Sequence, residues 1–362
     1  MTGSAERLGW VDMAKGLSII LVVMMHSAFG VGSDAGGVGY LHYVIGWATP
    51  FRMPEFFLIS GLFLSQAIDR HWPRFADRRV VHYVYFYAIW AAIHILFKVG
   101  LGERDPVLAA QYLAWAVIEP YGVLWFIYML AVVAVASKLA HDLRLPHWAV
   151  LAVGALLQMA PIHTGAYVID QFAEFFVFFY AGYALAPTIF ALVDKAQARI
   201  GLALAGLAGW AVINGLLVFS PGHRVMPDHV EMGLAGLPGL NLVLAIAGAA
   251  ALCVSAGLLA RVPAMAWLRW LGGKSIVVYL AFALPMAVTR TVLVRLGVIE
   301  DVGLLSTLVM TLAIVSPLIV WWLTEKTGIG RFLFTRPAWA HIPGTPGSRQ
   351  DIAARAERQP AE

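Results

Sequence analysis

Charge and cysteine are what this sequence has least of. Only 13% of its residues are Asp, Glu, Lys or Arg, about half the share of an ordinary soluble domain. With 60% apolar residues and a mean hydropathy of +0.77, its 362 residues cannot supply a polar coat for a soluble protein. That excludes a cytosolic globular enzyme, a disordered chain and a coiled coil. The single cysteine, Cys253, excludes a disulfide framework and a multi-Cys metal site. Several catalytic signatures are missing as well. There is no G-x-G-x-x-G, G-x-x-x-x-G-K-[ST], G-x-S-x-G or H-E-x-x-H, which argues against nucleotide-driven pumping, an α/β-hydrolase site and a zincin site. The net charge of +4 is no nucleic-acid footprint, because the basic residues sit in short loops beside apolar runs.

What is present is a series of long apolar runs. A spanning helix needs about 20 such residues. Ten candidates follow, at roughly 16–34, 40–67, 80–99, 121–139, 147–160, 170–190, 198–219, 235–260, 275–296 and 302–324. This predicts an all-α, polytopic membrane protein of about ten spans. Pro50 and Pro54 break the second, and the fifth is short. The stretch 106–118 reads as interfacial or re-entrant. Loops on one side carry Arg70, Arg74, Arg78 and Arg79, then Lys138 and Arg144, Lys195 and Arg199, and Arg261, Arg269 and Lys274. The other side carries only Lys98, Arg104, Arg224 and Arg295. The positive-inside rule therefore places both termini in the cytoplasm. Arg7, Asp12 and Lys15 lead straight into a full-length span, so no cleavable leader is expected. Residues 1–336 read as one membrane domain, and 337–362, rich in Pro, Gly, Arg and Ala, as a disordered cytoplasmic tail.

Polar residues inside such spans are costly and mark function by default. Lys15 and His26 are eleven residues apart. Eleven steps of about 100° bring them to one helix face, about 16 Å apart along the axis. Lys15 falls at the cytoplasmic end, within reach of Asp12, and also reads as a plain interfacial lysine. His26 falls near mid-membrane, where an apolar setting favours the neutral imidazole that a general base needs. It reads equally as an interior His satisfied by a backbone carbonyl. Arg52 and Glu55, three residues apart around the prolines, are spaced to pair, as a structural ion pair or as a polar wall opposite His26. Ser60-Gly61 permits close approach of a helix or ligand. Glu174 lies inside the sixth span and must pair or be neutral; Arg290 has a similar status. His42 and His94 read as structural. The loop His223–Glu231, with Asp228 and His229, reads as solvated.

Four of these segments together resemble the membrane acyltransferase-3 superfamily, most closely its fucose 4-O-acetylase-like branch. The first is Trp10, Asp12, Lys15, Gly16, Ile19, Leu21, Val22, Val23 and His26. The second is Met53, Pro54, Phe56, Phe57, Ser60 and Gly61; the third Leu124, Trp125 and Phe126; the fourth Gly272, Ser275, Tyr279 and Leu280. The likeness covers about residues 7–325. The chain departs from the family at three places. Arg52 and Phe282 stand where the family often has His, and Arg79-Val-Val-His82 stands for Arg-x-x-Arg.

The resemblance implies an enzyme that moves an acyl group, usually acetyl, from cytoplasmic acyl-CoA to a hydroxyl of an extracytoplasmic or lipid-linked glycan. His26 would be the general base, with Glu55 helping to orient the site. Lys15, Arg52, Arg74, Arg78 and Arg79 would bind the phosphates of acetyl-CoA, although each loop arginine reads as readily as plain topology. Asp12, Ser60, Trp125 and Glu174 would line the acceptor side. No metal and no nucleic acid is expected. Membrane lipids, acyl-CoA and a sugar or glycolipid are the expected partners, with a homodimer left open. The implied location is the bacterial inner membrane. The competing reading is a transporter or lipid flippase, whose path would also show broken helices and buried charge.

Overall fold

The computed structural model describes residues 2–358, with side chains described over 9–354. Nearly all of this is helix, and one two-stranded hairpin is the exception among the described residues. Six helices are long and apolar enough to cross a membrane, and two bent pairs raise the number to eight. The ten expected segments are all helical, but two fall short of a span. His147–Met159 has 13 residues, about 20 Å at 1.5 Å per residue, against a hydrocarbon core of about 30 Å. The second segment is broken into shorter helices.

The first helix, α1 (Thr2–Ala35), is the hub. It packs against Pro238–Leu259, Ala266–Gly273, Val302–Thr327 and the broken second segment. That segment comprises α2 (Tyr40–Ala48) and α3 (Arg52–Gly61). The break spans Thr49–Phe51, so Pro50 lies inside it. Pro54 does not break anything. It sits in the first turn of α3, where its absent N–H is one that a helix start leaves unused.

Lipid is as apolar as a side chain, so helices in a membrane associate through close packing of small residues. At the crossing of α3 with the helix Tyr167–Ala184, a Cβ on Gly61 would lie 2.0 Å from the Phe179 carbonyl oxygen. One on Gly182 would lie 2.0 Å from that of Leu58. Only two facing glycines allow backbones this close. By contrast, Ile200–Val218 stands on the rim with 6% of its apolar window buried.

The helix α4 (Trp72–Glu103) has 32 residues, about 48 Å, and so outruns a bilayer. Its basic first turns contain a π-helical stretch, Asp77–Val81, a wider turn often found at functional sites. The C-terminal chain comes back to this point. Tyr85 and Trp90 donate to the carbonyls of Phe332 and Leu333 at 3.0 and 2.9 Å. Composition alone suggested a disordered tail from 337, yet its first part is held in place. Ile342 N–H donates to Asp77 at 2.8 Å, and Ser348 N–H to the Thr345 carbonyl at 3.0 Å. Residues 359–362 of that tail lie outside the described residues.

Candidate active site

A cavity of about 820 Å³ opens among α1, α3, α4, the helix Gly122–Asp142 and the junction of the short helices Ala266–Gly273 and Ser275–Ala281. Its lining holds five fixed cations, Lys15, Arg70, Arg78, Arg79 and Arg336, against one carboxylate, Asp12, a formal excess of four positive charges. Lys15 Nζ is 3.1 Å from Asp12, so the excess lies with the arginines. Arg79 is fixed by the Phe63 carbonyl at 3.0 Å and the Tyr83 hydroxyl at 3.3 Å. His82, Tyr83 and Ser60 also face the cavity. The far wall is set by Tyr279, whose hydroxyl donates to the Val123 carbonyl at 2.6 Å and accepts from Ile127 N–H at 3.3 Å. The end of the helix before it approaches α1 as closely as backbone permits. A Cβ on Gly272 would lie 1.6 Å from the Asp12 carbonyl oxygen.

His26 lies three helical turns beyond Lys15 on α1, past the cavity lining. It is half-buried, and its ring stacks 5.4 Å from Phe282. The imidazole has no hydrogen-bond partner among the described residues. His42 is the contrast: it accepts from Gly39 N–H at 3.2 Å, so its Nε2 donates to the Pro227 carbonyl at 3.0 Å. His42 is a satisfied interior histidine and His26 is not. Arg52 is within electrostatic reach of His26.

The expected Arg52–Glu55 pair is not formed. Glu55 is fully buried and turns to α1, where the Ser18 hydroxyl lies 2.8 and 2.6 Å from its two oxygens. Nε and Nη1 of Arg52 are buried with no hydrogen-bond partner. Both residues lie on α3, where three-residue spacing would allow a pair, but the Glu55 carboxyl is taken up by the Ser18 hydroxyl across the contact with α1.

Other expected site residues scatter. Arg74 is exposed and lines no part of the cavity. Glu174 is exposed on its helix and lies outside the two large cavities. Trp125 belongs to an aromatic cluster, with ring centroids 6.0 Å from Phe57, 5.6 Å from Phe175 and 6.0 Å from Tyr167. Its neighbour Phe126 is the residue that reaches the cavity. Arg290 forms a 2.8 Å ion pair with Asp34 at the opposite end of α1. The outer loop is a hairpin of β1 (Arg224–Val225) and β2 (Val230–Glu231). There the hydrogen bond between His229 and Asp228, at 2.8 Å, raises the imidazole pKa and lowers that of the carboxyl.

A family model described as an acyltransferase domain, that of the acyltransferase-3 family, matches residues 8–326. The chain belongs to this family. No curated protein and no solved structure matches it. The acyltransferase thus contains the cavity, α1 and the broken segment within the matched region, and Arg336 outside it. Sequence reasoning missed Arg336 as a lining residue. Its only signal was a basic residue shortly after the last span, at the very end of the stretch read as membrane domain.

Proposed function

We propose that this membrane acyltransferase takes an acyl group, acetyl in the simplest case, from acyl-CoA to a hydroxyl of an extracytoplasmic or lipid-linked glycan. The observation that carries the reading is the cavity itself: about 820 Å³ with a formal excess of four positive charges, at the basic end of the helices. CoA is a compact polyanion, and guanidinium groups bind phosphate through paired N–H donors. The acyl thioester extends along α1 from Lys15 towards His26.

His26 then acts on the acceptor hydroxyl. An imidazole with a free nitrogen takes the hydroxyl proton as the oxygen attacks the thioester carbonyl. The new C–O bond gives a tetrahedral centre whose oxygen carries the negative charge. Arg52, within electrostatic reach of His26 and with two buried N–H groups to spare, suits that charge. Collapse breaks the C–S bond, and the proton held on His26 passes to the leaving CoA sulfur. Ester and free CoA result, and no acyl-enzyme is required. By the same reading the protein sits in a bacterial inner membrane, with its basic end towards the cytoplasm.

The test is transfer of radiolabelled acetyl from acetyl-CoA by the purified protein, with a photoreactive CoA analogue reporting binding. His26→Ala should lower turnover by about 10²–10⁴-fold, the usual weight of a general base, while labelling by the analogue persists. Wild-type protein that binds no CoA would sink the donor assignment and favour a transport role for the cavity.

A further inference from the structure

The family match ends at residue 326, yet one wall of the basic cavity comes from ten residues further on. Arg336 is held there by a lock. Its Nη1 donates to the Asp77 backbone carbonyl at 2.7 Å and its Nη2 to Asp77 Oδ2 at 2.6 Å. The two side chains are 5% and 6% exposed. Ile342 N–H donates to the other carboxylate oxygen at 2.8 Å. His341 Nδ1 closes the cluster, 2.8 Å from Arg336 Nη2 and 3.2 Å from Asp77 Oδ2. Asp77 sits in the π-helical stretch of α4, one residue before Arg78 and two before Arg79.

The lock leaves something unspent. Nε of Arg336 is buried with no partner, although the side chain lines the cavity. Nε of Arg79 is in the same condition in the same lining. Buried N–H groups are almost always satisfied, and orphans ask for a missing acceptor. Two guanidinium groups that line one cavity and each keep an unpartnered N–H point to an oxyanion, because phosphate oxygens accept from such donors strongly. A residue serving only to pin the tail to Asp77 would have no reason to border the cavity.

We propose that residues 336–345 form a strap that completes the anion site, with Arg336 as a phosphate-binding residue for the CoA donor. Asp77 and His341 position it. The proposal rests on the donor reading given above.

The experiment measures CoA binding to the full-length, detergent-solubilised protein at low and moderate ionic strength, with adenosine 3′,5′-bisphosphate as a second probe. Arg336→Gln weakens both ligands tenfold or more and flattens the salt dependence, since one screened charge contact is gone. Arg336→Lys restores part of the affinity, because the charge returns without the planar fork. Asp77→Asn weakens binding but keeps the salt dependence, since the cation remains while its anchor is lost. Arg336→Gln protein that binds CoA within twofold of wild type overturns the proposal. So does equal weakening by Arg336→Gln and Asp77→Asn with unchanged salt dependence, the pattern of an anchor alone. If Arg336→Gln does not give monodisperse protein, Arg336→Lys decides: threefold or greater weakening supports the strap, and wild-type affinity overturns it. Wild type that binds neither probe overturns the donor reading instead, and the strap's ligand with it.

Discussion

Two cavities of nearly equal size differ in almost everything else. The first, of about 820 Å³, holds five cations among aromatic and small residues. The second, of about 780 Å³, lies between Ala186–Ala198, Ile200–Val218 and Pro238–Leu259. Its wall is mostly Ala, Gly and Leu, with Lys195 and Arg199 as its cations and no carboxylate. Volume therefore assigns nothing, and lining does. The first cavity is roofed by elements from both ends of the chain, which hold charged groups where water and anions reach them. The second is a gap between smooth helix flanks, suited to apolar chains. The difference lies in how the walls are tied. Tyr279, Arg79 and Arg336 are each held by hydrogen bonds to backbone carbonyls. Along the groove wall, by contrast, the indole Nε1 of Trp210 is buried with no partner.

The sharpest way to break this comparison is to fill each space in turn. Ser60 lines the first cavity and Ala203 the second. Ser60→Trp should weaken CoA binding tenfold or more, roughly 1.4 kcal/mol, in a titration of the purified protein. Ala203→Trp should leave it within about twofold. Equal losses would mean that the two spaces are coupled and that lining chemistry is not the discriminator.

A second pair uses glycine. Gly272 lines the cavity and Gly206 the groove. A Cβ on Gly272 would sit 1.6 Å from the Asp12 carbonyl oxygen, whereas one on Gly206 meets nothing within 4 Å. Gly272→Ala must push α1 and its neighbour apart, costing about 1–3 kcal/mol in the manner of an overpacked core. Gly206→Ala should be neutral or stabilise by up to about 1 kcal/mol through helix propensity. Thermal unfolding of the two variants in one detergent checks both signs.

How much of this was legible in the sequence depends on what each feature needs. The helical class, the runs and the shared face of Lys15 and His26 need only local periodicity, and the fold carries all three. The broken second segment was legible from proline, but Pro54 was credited with a break that Pro50 alone makes. Proline is disruptive only where its N–H would have been used, and that depends on where the next helix begins. The Arg52–Glu55 pair failed for a different reason: spacing along one helix brings two side chains within reach but does not decide whether a partner on another helix competes. Glu55 instead finds Ser18, 37 residues away. Arg336 was invisible because its partner, Asp77, is 259 residues earlier. Composition marks a stretch as polar without saying what it will be tied to.

The smallest effect separates two arginines on the same helix turn. Arg74 and Arg78 are four residues apart and both exposed, and the positive-inside rule treats them alike. Only Arg78 lines the cavity. Exposed charge contacts contribute about 0.2–1 kcal/mol in water, so Arg78→Ala should weaken CoA binding by about 1.4- to fivefold. Arg74→Ala should leave it unchanged. The loss in Arg78→Ala should shrink as salt rises, because a Debye length of about 8 Å at physiological ionic strength already screens an open cavity mouth. Equal weakening by both variants at low salt, vanishing together at higher salt, would make the arginines of this turn a diffuse attractive field. The cavity would then owe its anion preference chiefly to Arg79 and Arg336, whose guanidinium groups are fixed by hydrogen bonds.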